Sequence, residues 1–394
     1  MLTKVLDLDF ADLPADIEGL TDYRHALILL RVNGLPVGKL HISLDGQRLT
    51  REQLLEAACQ QLGPAIADGW LSEWIGYDGR PNPQPLPSAT VAVCTRDRPE
   101  DLARCLQSLV ALMPDEQQML VVDSCSKDDA TRQVAARFPG VRCVREEQPG
   151  LDRARNRALR EADTEIVAFI DDDALADPGW LHALLRNFDD PEVMCFTGLT
   201  MPLELETEAQ ETFEQVYPFV RGFTRRVYDH WLLSPVKAGR AGAGVNMSFR
   251  RSVMVEVGTF DEALDAGTLT KSGGDTDMLS QILARGYRVV YDPAALNWHR
   301  HRRAWEELLA QAYGYGVGSY AVLAALWLRE HDVAVFPFAF NWLMLEQLPR
   351  LVRSLLKRPG AVPPSLTLAE LRGCRAGVGA YLAERRKRPG GRAG

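Results

Sequence analysis

The chain has 394 residues, 46% of them apolar and 25% charged, the balance of a globular protein with room for two or three domains. Its net charge of -8, from 45 basic and 53 acidic side chains, argues against a broad nucleic-acid footprint. Seven cysteines, an odd number with no Cys-x-x-Cys pair, read as reduced thiols, and Met1-Leu2-Thr3-Lys4 opens no signal-peptide pattern, so a cytoplasmic protein is expected.

Two strands are expected at 26–32 and 37–42, joined at Asn33-Gly34, a strong turn signal. Thr50 then caps a helix, with Gln53 three residues on and Leu54, Leu55 and Ala58 on its apolar face. Residues 1–80 thus read as a small α+β module without evident chemistry, and 81–89 as a Pro-rich, extended linker. From Thr90 strands and helices alternate. Strands are expected at 91–94, 119–122, 141–144 and 165–170, and helices opening at Pro99 and covering 129–137 and 151–162. Such repetition implies a Rossmann-like parallel sheet with helices on both faces. The pattern then loosens: a strand at 193–198, an outer helix at 204–219, a strand at 246–249, a helix at 275–285, a strand at 287–291 and a long helix at 304–328. Residues 90–330 read as the catalytic unit and 331–394 as a helical, basic extension.

Strands of the first half end in polar clusters: Thr95-Arg96-Asp97-Arg98, Asp123-Ser124 and Asp171-Asp172-Asp173. In an open α/β sheet these ends form one crevice. Crowded carboxylates repel and need a cation; a hard divalent ion with oxygen ligands fits, and such an ion can hold a diphosphate. A lone Asp triplet is more often a solvated turn, and the surrounding pattern is what reverses those odds.

Six motifs in order carry a resemblance: 93–99 (Val-Cys-Thr-Arg-Asp-Arg-Pro), 121–126 (Val-Val-Asp-Ser-Cys-Ser), 150–156 (Gly-Leu-Asp-Arg-Ala-Arg-Asn), the Asp triplet, 273–277 (Gly-Gly-Asp-Thr-Asp) and Trp298-His299. Together they resemble an inverting family-2 glycosyltransferase with the glycosyltransferase A fold, over roughly 90–318. The resemblance implies a nucleotide-sugar donor, a carbohydrate or lipid-linked acceptor, and Mg²⁺ or Mn²⁺ on Asp171 and Asp173, with His299 as the late ligand and the neighbouring His301 as its substitute. It places Thr95, Arg96, Asp97, Arg98, Asp123, Arg155 and Asp172 on the donor. Asp123 would meet the base, with a turn-capping Asp as the competing reading; Arg96 stands where many relatives carry a stacking aromatic; Arg98 and Arg155 would neutralise the diphosphate. Asp275 is the expected general base, although Gly274 replaces the family's Glu before it. Asp277 is the second candidate, or else a helix cap. Asn246 is expected on the acceptor side, behind a loop given mobility by Gly242 and Gly244.

The uncharged run 333–345, with Phe336, Phe338, Phe340 and Trp342, is interrupted by Pro337 and too short to span a membrane. Arg350, Arg353, Lys357, Arg358 and the run Arg385-Arg386-Lys387-Arg388 follow. Two readings stand: an amphipathic segment on the inner face of the cell membrane, or a helix packed on the catalytic unit or on a second copy in a homodimer. Two other functions compete with glycosyl transfer. A nucleotidyltransferase would need a Gly-rich phosphate loop that 95–99 does not supply. A non-catalytic sugar-nucleotide-binding or scaffold protein would survive loss of Asp275.

Overall fold

The computed structural model describes residues 2–44, 48–81, 85–112, 117–358 and 360–387. The middle of the Pro-rich linker (82–84) and Arg388 of the terminal basic run lie outside them.

The central sheet runs, in spatial order, Ala174–Ala176, Arg288–His299, Val193–Pro202, Asn246–Arg250, Ile166–Ile170, Ala89–Thr95, Gln118–Ser124 and Val141–Glu146. The last four are mutually parallel, as their helical crossovers require. The expected parallel sheet is interrupted in the less regular second half: Asn246–Arg250 runs antiparallel to both its neighbours. The irregular segment 203–245 returns the chain from the opposite end, where a crossover helix would have kept the direction. Both faces are covered, and side chains alternate between two cores. Val91 and Val93 pack with Leu102 and Leu106 on one face, while Ala92 packs with Ala154 and Ala158 on the other.

The N-terminal residues form a three-stranded sheet of Thr3–Asp9, His25–Val32 and Leu35–Ser43, crossed by the helix Arg51–Trp74. Asn33 and Gly34 both take positive φ, as the hairpin turn demands, and Thr50 and Gln53 form a reciprocal cap. The strand Thr3–Asp9 carries no turn signal ahead of it and escaped the sequence pattern. Ile28 and Leu30 face the module's own core, whereas Leu27 and Leu29 pack on Leu199, Met201 and Leu296 of the central sheet. This double burial explains why that strand is apolar without alternation. Arg31 adds ion pairs to Asp7 and Asp177, and Arg80, just ahead of the linker, pairs with Asp292 of the central sheet.

Two C-terminal helices, Trp305–Glu330 and Pro364–Arg386, cross in close contact. Glycines permit it: Gly316 lies against the Glu370 carbonyl, and Gly373 and Gly377 against those of Tyr313 and Val317. The helix expected outside, Glu208–Val216, is instead mostly buried, because the N-terminal module and these helices cover it. No helix among the described residues is long and apolar enough to cross a membrane.

Candidate active site

The Asp triplet leaves the strand Ile166–Ile170 in a tight turn, closed by the Ala174 amide donating to the Asp171 carbonyl. The chain then forms the short strand Ala174–Ala176, whose pairing sets Ala174 opposite His299. The Arg300 amide donates to the Asp173 carbonyl and locks the register. This brings a histidine more than a hundred residues away beside the triplet. Asp171, Asp173 and His299 each offer a ligand atom, all within 4.8 Å of one another. His299 Nε2 lies 3.1 Å from Asp173 Oδ1.

Electrostatics separates the three aspartates. Burial, then the Asp173 charge, raises Asp171 to about 6 and Asp172 to about 7. Burial also works against ionised Asp173, but His299 and Arg98 outweigh it and hold that carboxyl at about 2. Asp172 is a brace: Thr95 Oγ1 donates to it at 2.6 Å and Arg98 Nη1 at 3.1 Å. Arg98 also reaches Asp173 at 2.9 Å, so it offsets the charge of both carboxylates. Two carboxylates and an imidazole, oxygen-rich and close-set, suit Mg²⁺ or Mn²⁺.

His301 does not join the triad. Its Nδ1 sits 3.0 Å from His299 Nδ1 and its Nε2 3.5 Å from Glu214, which Lys39 of the N-terminal module pairs at 3.1 Å. It stands behind His299 rather than in the cluster with Asp171 and Asp173.

A cavity of about 630 Å³ is lined by Asp171, Arg155, Asp265, Asp275, Tyr217 and Tyr315, among others. Asp275 stands in the first turn of the helix Gly274–Ala284, where the helix dipole favours a carboxylate. Its Oδ2 accepts from the Gly244 amide and its Oδ1 from the Thr276 amide, both at 2.7 Å. The glycines at 242 and 244 serve close approach rather than mobility: a β-carbon at 242 would collide with Thr197, and one at 244 with Arg155 and Asp275. Arg155 is buried, bridging Asp152 at 2.9 Å and Asp265 at 2.7 Å, so it is an internal counter-charge on the cavity wall rather than a surface ion pair. The space of the family's Glu at 274 is filled by Asp152, whose carboxylate a β-carbon there would overlap. Asp152 Oδ2 is buried without a hydrogen-bond partner, and burial, then Asp265, holds this carboxyl far above the usual range. Asp152 lies three residues before Arg155, a spacing visible in the sequence; nothing local announced Asp265.

Other expected residues fall elsewhere. Asp123 caps its turn, accepting from the Ser126 amide at 2.9 Å, and pairs with Arg145, which sequence reasoning missed. Asp97, at positive φ, ties the first turn to the second by accepting from the Lys127 amide, and Arg96 is exposed beside it. None of these lines the cavity. Asn246 is not on the acceptor side: it is buried, donates to the Leu199 and Ala295 carbonyls and accepts from Trp180. Asp277 neither caps its helix nor reaches the cavity; it is buried against Arg329 at 2.8 Å and Gln281.

Comparison with known proteins agrees with this architecture. The family model described as glycosyl transferase family 2 matches residues 90–236, and that of glycosyl transferase family group 2 matches 166–364, just over half the chain. A pre-mycofactocin glycosyltransferase of Mycobacterium tuberculosis is 30% identical over 254 residues, covering 62% of this chain and 50% of that protein. The chain therefore spans about half the length of that relative. A glucosyl-dolichyl phosphate glucuronosyltransferase of Haloferax volcanii is 25% identical over 245 residues, covering 58% and 74%. Among solved structures, the mannosyltransferase PcManGT from Pyrobaculum calidifontis, in complex with GDP-Man and Mn²⁺, superposes with a TM-score of 0.47 at 18% identity over 85% of each chain. With more than half its length matched, the chain belongs to the family-2 glycosyltransferases.

Proposed function

We propose that this chain transfers a sugar from a nucleoside diphosphate sugar to an acceptor hydroxyl, with inversion and with a divalent ion held by Asp171, Asp173 and His299. One observation carries the reading: a carboxylate of that triad, Asp171, and a separately anchored carboxylate, Asp275, line one cavity. The ion supplies Lewis-acid stabilisation of the departing diphosphate. Asp275 takes the proton from the acceptor hydroxyl as it attacks the anomeric carbon, and one displacement inverts that centre. The Gly244 amide fixes the orientation of Asp275, so little reorganisation accompanies proton transfer. Arg155 offsets the charge of Asp152 and Asp265 on the cavity wall, and Arg98 turns from the triad to the diphosphate. The named activities of the mycobacterial and haloarchaeal relatives support glycosyl transfer, and the second supports a lipid-linked acceptor.

Calorimetric titration with nucleoside diphosphates and their sugars, with Mn²⁺ and with EDTA, tests this. Binding of one diphosphate sugar that EDTA abolishes is the expected result. Equal affinity with and without the ion would remove the triad from the mechanism.

A further inference from the structure

The segment after the long helix Trp305–Glu330 has two contrasting faces. Val335–Asn341, the π turn Trp342–Gln347 and Leu348–Leu355 follow one another directly as a helical rod. Phe338 and Trp342 are half-buried and, with the exposed Glu346, line the catalytic cavity. Outward, every fourth residue is a large apolar one in the open: Phe336 (59% exposed), Phe340 (60%), Met344 (41%), Leu348 (36%), Val352 (52%) and Leu356 (62%). In a regular α-helix a row of i, i+4 positions drifts around the axis, because a turn holds 3.6 residues. The π turn holds more residues per turn and rotates the row back, so the six stay on one side.

Charge says what this side meets. Residues 333–358 hold one carboxylate, Glu346, against Arg350, Arg353, Lys357 and Arg358. Arg353, Lys357 and Arg358 are exposed beside the apolar row. A groove of about 460 Å³ opens at its edge, lined by Leu345, Glu346, Pro349, Arg350 and Arg353 among others. The rod is about 30 Å long at 1.5 Å per residue, and its charges keep it from spanning a bilayer. An exposed apolar row flanked by cations matches the boundary between acyl chains and anionic headgroups.

We propose that the rod 335–356 seats the protein on an anionic lipid surface, with the apolar row in the acyl boundary and Arg353, Lys357 and Arg358 on headgroup phosphates. The same rod walls the cavity from its other side, so the site would open close to the lipid plane. This inference stands apart from the catalytic reading, because its test reads binding alone.

The test is flotation of the full chain with phosphatidylcholine vesicles, with and without phosphatidylglycerol, at low and high salt. The chain is expected to float only with phosphatidylglycerol and to be released by salt. Phe340→Glu with Leu356→Glu, both exposed and checked by an unchanged melting curve, should weaken binding at least tenfold. Lys357→Gln with Arg358→Gln should cost about fivefold per charge on anionic vesicles. Failure to float, or flotation unchanged in both double variants, overturns the proposal. A dimer in light scattering that Phe340→Glu with Leu356→Glu dissociates would overturn it too, assigning the row to a second copy.

Discussion

Asp173 is held ionised by His299 and Arg98 while Asp171 and Asp172 are pushed toward the neutral form, so charge in the triad is concentrated on one carboxyl. Asp173→Ala is expected to abolish Mn²⁺-dependent nucleotide binding in calorimetry, while binding left intact would refute the ligand role. Asp275→Asn keeps the hydrogen bond from Gly244 but cannot accept a proton. Turnover should fall by about 10²–10⁴ while the donor Kd holds, the split expected of a lost general base. Full turnover in that variant would move the base elsewhere. Gly274 carries a prediction of its own. Gly274→Ala drives a methyl into the Asp152 carboxylate and should cost about 1–3 kcal/mol in denaturant unfolding. In a double-mutant cycle the same substitution should cost less in an Asp152→Gly background, which vacates the space, than in the wild type; an equal cost in both would show that the overlap is not the cause.

At the scale of elements, the site depends on strand pairing and helix crossing. Asn246 braces two strands and Trp180, and Asn246→Ala strands two carbonyls and an indole N–H. Each buried group left unpaired costs about 1–3 kcal/mol, so the melting temperature should drop well below that of a surface substitution. A wild-type melting curve would return Asn246 to the acceptor side. The Gly373 contact is as demanding, since the β-carbon of any other residue would meet the Tyr313 carbonyl. Here lies much of what was legible and what was not. The motif order pointed to the Asp triplet, Asp275 and His299, because each sits at the end of a buried, apolar strand or the start of a helix. The buried helix Glu208–Val216 was misplaced because its polar residues Gln210 and Glu214 have partners, His301 and Lys39, that are distant in sequence.

For the whole molecule, the cavity is an assembly of parts. The central sheet gives Asp171, the helix Gly274–Ala284 gives Asp275, and the C-terminal helices give Tyr315, Trp342 and Glu370. A divalent ion bound only by this folded arrangement stabilises it by mass action, about 2.7 kcal/mol at a hundredfold its Kd. Thermal unfolding should therefore shift upward with Mn²⁺ and return with EDTA, and a curve indifferent to both would speak against a folded-state metal site. Through Lys39 and Glu214 the N-terminal module reaches His301, which stands behind His299.

The sequence by itself determined the strand-helix order, the buried strands and the acidic groups at their ends, because side-chain periodicity and crowded charge are local properties. Tertiary structure alone decided which of those groups meet. Antiparallel pairing set His299 beside Asp173, close packing made Asp152 exclude a side chain at position 274, and distant partners turned Asn246, Asp277 and Arg155 into internal braces. A side chain's partner across the fold is fixed by register and packing, and neither is written in the residues that flank it.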